Sequence, residues 1–313
     1  MSGAAPRRAV GLLLASLALP GDAQRPADDS SAAARTAATL GRWVVQTGGI
    51  VGLSDLTRDD TGATWSISER QPTLVRLALD GEAPGLAATP LPIAGMPIEL
   101  EAEGLAWLAP GTFLVGTESD VARRPSDLLV TVQVDSSGAR VSATEAFSYA
   151  PWGLQAAANA GLEGICAAGG QLVVASETVG RTAAGDRYAP LARRPLTGGP
   201  WQAFRLRLTS AHGKLAALSC TARGDHLRVW AIERHFGIIH LLEFELPTAT
   251  ASAATTAEDR LPPLLLPRLR LDLSAVGANL EGLTEAPDGA LLLLSDNHYG
   301  ITTGPTLLLR LRL

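Results

Sequence analysis

Aromatic residues are scarce in this chain of 313 residues, at 4%, so any core must be built from Leu, Val, Ile and Ala. Charged residues make up only 18%, while 46% are hydrophobic, enough for a sizeable core and too apolar for general disorder. Basic residues are not in excess. The net charge of −5 excludes nucleic acid as a partner, because binding phosphates needs a concentrated basic surface. Past the N-terminus no uninterrupted apolar run is long enough to span a bilayer. Familiar catalytic signatures are missing too: no G-x-S-x-G elbow, Walker loop, H-E-x-x-H or paired C-x-x-C occurs. Ser54, Ser176 and Ser295 recur beside acids, but their spacing assigns no Ser-His-Asp arrangement, and a serine nucleophile is not expected.

The N-terminus reads as a secretory signal over residues 1–23. Arg7 and Arg8 precede an apolar run from Ala9 to Pro20, and Gly21-Asp22-Ala23 offers a small-residue cleavage site. Export by the Sec or twin-arginine route would deliver the chain to the periplasm or outside the cell. Residues 24–42 form a loose leader rich in Ala, Ser and Asp, and order is expected from Trp43. Only two cysteines are present, Cys166 and Cys220. In an oxidising compartment they form either a disulfide or two buried thiols on inner strands of neighbouring units.

What the chain does have is a repeated phrase. Glu103-Gly104-Leu105, Glu163-Gly164-Ile165 and Glu281-Gly282-Leu283 each open a short apolar segment that turns and closes on an acid, Glu118, Glu177 or Asp296. Two degenerate copies run from Gly52-Leu53-Ser54 to Glu69 and from Ala217-Leu218-Ser219 to Glu233. Asp60-Thr61-Gly62, Ala109-Pro110-Gly111, Gly169-Gly170, Arg223-Gly224-Asp225 and Pro287-Asp288-Gly289 sit midway and supply turn chemistry, so each unit begins with a β-hairpin. Leu74–Leu79, Leu128–Val134, Phe204–Leu208, His240–Leu246 and Thr306–Leu313 are expected to add a third strand. Such an array predicts an all-β fold, a β-propeller of five or six blades in a single closed domain over residues 43–313, acting as a monomer. Trp43–Gln46 and Thr306–Leu313 could close the ring within one blade, which would remove exposed sheet edges.

A hairpin brings its two ends together, and radial repetition gathers those ends around one mouth of the central channel. The expected mouth contains Glu103, Glu163 and Glu281 from first strands, with Glu69, Glu118, Glu177, Glu233 and Asp296 from second strands. Two carboxylates about 6 Å apart repel by roughly 3 kcal/mol at an effective dielectric near 20, so the ring needs compensation. Arg70, Arg234 and His298 are one source. A divalent cation is the other: Glu103, Glu163, Glu281 and Asn279, with Asn159 and Asn297 nearby, offer hard oxygen ligands that suit Ca²⁺. In a catalytic reading, Glu163, Glu281, Asp296 and His298 handle water and protons while Arg70 and Arg234 bind an anionic small-molecule substrate. In a structural reading the acids accept backbone N–H groups and set the register between blades.

At Gly52-Leu53-Ser54, Ser68-Glu69-Arg70, Glu163-Gly164-Ile165, Ala175-Ser176-Glu177, Ile232-Glu233-Arg234 and Asn279-Leu280-Glu281-Gly282-Leu283 followed by Ser295-Asp296-Asn297, the chain resembles the phytase-like family, described by esterase-like activity of phytase. The resemblance extends from Gly48 to Leu313. It implies an exported bacterial-type propeller with phosphoric or carboxylic ester hydrolase activity. Glu69 stands where the family phrase usually has Asp, and Ala216-Ala217 replace Glu-Gly in the fourth unit, which weakens any symmetric metal site. The competing expectations are a non-catalytic propeller that binds a cation or ligand, and a lactonase-like hydrolase.

Overall fold

The computed structural model describes residues 38–69, 71–79, 85–97, 99–249, 261–296 and 304–313. Arg70, Asn297 and His298, the signal segment and most of the leader lie outside the described residues. Among those described, every regular element is a strand apart from two single-turn 3₁₀ helices, and no helix is long and apolar enough to cross a membrane.

The chain starts with β1 (Ala38–Gln46) and then lays down antiparallel meanders. The first contains β2 (Leu53–Arg58), β3 (Thr64–Ser68), β4 (Thr73–Leu77) and β5 (Gly85–Ala94). In the second are β6 (Glu101–Ala109), β7 (Thr112–Glu118), β8 (Ser126–Asp135) and β9 (Gly138–Ser148). A third joins β10 (Leu162–Ala168), β11 (Gln171–Ser176), the short β12 (Gly180–Arg181), β13 (Arg187–Pro195) and β14 (Gln202–Arg207). The fourth has β15 (Lys214–Arg223), β16 (His226–His235), β17 (Ile238–Pro247), the short β18 (Leu264–Leu265), which pairs with β14, and β19 (Arg268–Asp272). The last runs β20 (Asn279–Glu285), β21 (Leu291–Asp296) and β22 (Leu307–Arg312), and takes β1 as its outer strand through antiparallel pairing with β22.

Burial follows from this layering. Inner strands are covered on both faces and read as continuous apolar runs, as in the all-Leu start of β21, whereas the outer strands β5 and β9 alternate with exposed residues. The first strand of each meander packs against the next: β2 on β6, β6 on β10, β10 on β15, β15 on β20, and β20 back on β2. Five apolar clusters fill the spaces between consecutive meanders. One holds Leu105, Ile67 and Leu74, another Ile165, Leu114 and Leu129, and the one joining last to first holds Leu53, Val75, Leu294 and Leu308. This is a propeller-type arrangement.

Two differences from the sequence reading have simple causes. Phe204–Leu208 belongs to the fourth strand of its meander, not the third. The third is β13, disguised by Pro190, and its ladder with β11 ends at Leu191, so the missing proline N–H removes no bond there. Order also begins ahead of Trp43, because β1 is held by its pairing with β22 rather than by its own apolar content. Cys166 and Cys220 form a disulfide between β10 and β15, with Cα atoms 5.6 Å apart.

Candidate functional site at the acidic mouth

The Glu-Gly phrase has a local structural cause. In each unit the β-ladder of the first hairpin is interrupted near its start: between Ala102 and Gly104, Leu162 and Gly164, Leu280 and Gly282, Leu215 and Ala217, and Ser54 and Thr57, with a second break between Trp107 and Ala109 in the second unit. Glu103, Glu163 and Glu281 are thus bulge residues, left unpaired and re-aimed out of the alternating pattern. The glycine that follows allows neighbouring inner strands to touch. A Cβ on Gly104 would lie 2.8 Å from the Glu163 carbonyl oxygen, and one on Gly164 would lie 2.9 Å from the Leu218 backbone nitrogen.

The bulge glutamates and the second-strand ends converge on a cavity of about 530 Å³, with Glu69, Glu101, Glu103, Glu118, Glu163, Glu177 and Glu281 in its wall. Asn159, Asn279, Ser274, Lys214 and Arg234 add to the polar lining, and His235 and Phe236 also line it. All of the lining glutamates but Glu101 are buried, Glu163 and Glu281 each 4% exposed; Asp296, outside the cavity lining, is 3% exposed. Oxygen atoms come within 4.8 Å of one another in three groups: Glu118, Glu163 and Glu177; Glu69, Glu281 and Asp296; Glu101, Glu103 and Glu118.

Register explains where the positive charge comes from. Leu162 pairs with Ser176 and Leu215 with Glu233, so Arg234 in the fourth unit occupies the place of Glu177. Glu233, expected at the mouth, is one residue off and on the other face. It accepts from the backbone N–H and hydroxyl of both Thr209 and Ser210 at 2.6–2.9 Å, fixing that loop, and does not line the cavity. Arg234 forms an ion pair with Glu281 Oε1, to which Asn279 Nδ2 also donates at 2.8 Å. Lys214, which no motif flagged, pairs with Glu177 at 2.8 Å, and the Gly161 N–H donates to Glu118 at 2.9 Å. Lys214 opens its strand opposite Arg234 as Asn279 opens opposite Asp296, the signal that could have found it.

Compensation is incomplete. The side chains of Glu103 and Glu163 make no hydrogen bond or ion pair with any described residue, and Glu281 Oε2 is buried without a hydrogen-bond partner among them. Burial, then the mutual repulsion of the carboxylates, pushes Glu103 and Glu163 well above the usual carboxylate range. Glu118 is raised to about 8, chiefly by burial, although the Gly161 N–H opposes the shift. For Glu281 burial again leads, Arg234 opposes it, and the result is about 7. Burial works against the Arg234 charge, but Glu281, Glu163 and Glu177 outweigh it and raise the guanidinium pKa. Carboxyls that hold protons near neutral pH in a concave site are a common mark of function.

These observations define the class as an all-β, propeller-type protein with an under-compensated acidic pocket. The chain belongs to the phytase-like family, described as esterase-like activity of phytase, which matches residues 48–299. No curated protein matches it. Solved structures similar to the chain include the PQQ-bound aldose sugar dehydrogenase of Streptomyces coelicolor (12% identity, 88% of this chain and 98% of that one, TM-score 0.48). Others are the apo soluble aldose sugar dehydrogenase of Escherichia coli (10%, 88% and 99%, 0.45) and virginiamycin B lyase of Staphylococcus aureus (10%, 87% and 98%, 0.39).

Proposed function

We propose that the chain is an exported, closed five-bladed propeller whose acidic pocket hydrolyses an ester, with phosphate esters the leading class, assisted by a divalent cation. One observation carries this: the pocket gathers buried carboxylates that its described cations, Arg234 and Lys214, do not balance, and leaves Glu163 and Glu281 Oε2 without partners among the described residues. Oxygen atoms that crowd within 4.8 Å around Glu163, which meets no donor among the described residues, fit a hard cation such as Ca²⁺, which takes six to eight oxygens. Glu163 would hold it with Glu118 and Glu177 on one side, and with Glu103, Glu281 and Asn279 toward the other. When bound, the cation supplies charge neutralisation and an acidified water.

The chain's own residues do the rest. Arg234 and Lys214 face the pocket from the fourth meander and would bind the anionic oxygens of the substrate. A carboxylate of the Glu163 group takes the proton of the attacking water. Glu281, with a pKa near neutral, returns a proton to the leaving alkoxide, so the ester bond breaks to an acid and an alcohol. Asp296, whose oxygens group with Glu281, supports that site; Arg70 and His298, outside the described residues, remain proposed as a substrate contact and a proton carrier. The disulfide supports export to an oxidising compartment.

A panel of phosphate monoesters, carboxylate esters and lactones, assayed with and without Ca²⁺, tests this reading. Turnover of a phosphate ester that needs Ca²⁺ and disappears in Glu281→Ala is the expected result, and no turnover above that variant would sink it. A second reading has its own support, since both described cations are already paired with acids. Calcium-dependent stabilisation without hydrolysis of any ester would favour this non-catalytic cation-binding propeller.

A further inference from the structure

Asp55 was not among the acids the repeat singled out, yet it lies at the centre of the array. Leu53 pairs with Ser68 as Leu162 pairs with Ser176 and Leu280 with Ser295, so Ser54-Asp55 takes the place of Glu-Gly in the first unit. Asp55 has φ 41°, in the left-handed region that Asp tolerates better than most residues, and no solvent exposure. Its Oδ1 accepts from the Leu56 N–H at 2.8 Å. Its Oδ2 accepts from the Leu105 N–H at 2.9 Å and, at the long limit of 3.5 Å, from the Ile165 N–H; the Leu283 N–H also points to this carboxylate.

Those three distant donors share one property. Leu105, Ile165 and Leu283 each follow the glycine of a Glu-Gly phrase, two residues after Glu103, Glu163 and Glu281. An innermost strand turns one edge toward the axis, where its N–H groups have no ladder partner, and buried donors must be satisfied. One carboxylate collects two of them, from two meanders, and faces the third. We infer that Asp55 is a positioning residue for the acidic site: it fixes, from below, the bulges that aim Glu103, Glu163 and Glu281 into the pocket. The inference rests on the reading of that pocket as a cation site, and it assigns to this residue a role outside the pocket wall.

Asp55→Asn keeps the shape but turns one acceptor into a donor facing N–H groups. Calcium affinity by titration calorimetry and a crystal structure of the variant are the readouts. The expected result is calcium binding at least tenfold weaker, with the three glutamate carboxylates displaced by about 1 Å, a shift large enough to impair a preorganised site. Leu74→Ala, a core truncation between the first two meanders, lowers the melting temperature and keeps wild-type affinity, which separates positioning from general destabilisation. Should Asp55→Asn not fold, Asp55→Ser keeps an acceptor, removes the donor clash and carries the same readouts. Wild-type affinity with the glutamates in place overturns the inference. If the wild-type protein binds no calcium, the proposed cation falls, and the glutamate positions in the variant still decide the role of Asp55.

Discussion

The third and fourth meanders are neighbours, joined by a disulfide and built on one plan, yet they bring opposite charge to the same pocket. Where the third has Glu163, Gly164 and Glu177, the fourth has Ala216, Ala217 and Arg234, with Lys214 at the strand start. A ring with a carboxylate at every position would leave charge that no side chain balances. By substituting two cations in one unit, the chain makes a pocket with an acidic wall and a basic wall, a shape suited to an anionic group lying beside a cation. The contrast also explains why Glu281 tolerates burial: the adjacent meander supplies Arg234.

Breaking the basic wall has the largest expected effect. Arg234→Ala leaves Glu281 buried beside Glu163 and Glu103 with no guanidinium, and loss of one partner of a buried ion pair costs about 3–5 kcal/mol. Urea unfolding at pH 7 measures it. A loss below about 1 kcal/mol would mean that the pair is solvated and that the two walls are not coupled.

The covalent tie between the two meanders ranks next. Cys166 and Cys220 are 54 residues apart in sequence, and opening a loop of that length removes about 4 kcal/mol in the chain-entropy account, with 2–4 kcal/mol typical. The double variant Cys166→Ser, Cys220→Ser is expected to lose that much under non-reducing conditions, while calcium affinity falls little. Equal unfolding midpoints with and without reductant in the wild-type protein would remove the bond from the account.

Much of this was legible in the sequence, for identifiable reasons. The Glu-Gly phrase announced the units because a bulge plus a close strand approach demands those two residue types, and the hairpin turns placed its acids at one end. Glu233 misleads where the phrase is lost: without Glu-Gly as an anchor, the acid of the fourth unit stands one residue short of the mouth position, and a shift of one residue along a strand changes its face. Asp55 was invisible for a related reason. It sits at the glycine position of a degenerate copy, and its partners are backbone N–H groups on other meanders, which leave no trace in side-chain identity.

The acidic wall can be sharpened by pH. Glu118 and Glu281 have native pKa values of about 8 and about 7, above the ordinary 4.5 expected once unfolded. Between these limits the native state holds more protons than the unfolded one, so their contribution is fully present below about pH 4.5 and is lost as pH rises toward 8. In chelator, the urea midpoint should therefore fall from pH 5.5 to 8.5. Calcium at a hundred times its dissociation constant adds about 2.7 kcal/mol and should flatten the decline, as should Glu163→Gln. A midpoint that rises with pH in chelator would show that the carboxylates are already ionised and paired.

The smallest effects test the glycine itself. Gly164 has no room for a methyl group: its Cβ would lie 2.7 Å from Leu218 Cγ and 2.9 Å from the Leu218 backbone nitrogen, so the β10–β15 contact would have to open. Overpacking of this kind costs about 1–3 kcal/mol, and Gly164→Ala should weaken calcium binding as well because Glu163 is the adjacent residue. Ala217, at the same place in the fourth unit, already carries a buried methyl. Ala217→Gly should lose that methyl and add backbone entropy, about 1–2 kcal/mol together, without changing calcium affinity. If Gly164→Ala leaves both stability and calcium affinity at wild-type levels, close approach is not why the phrase keeps its glycine, and the bulge geometry alone must account for it.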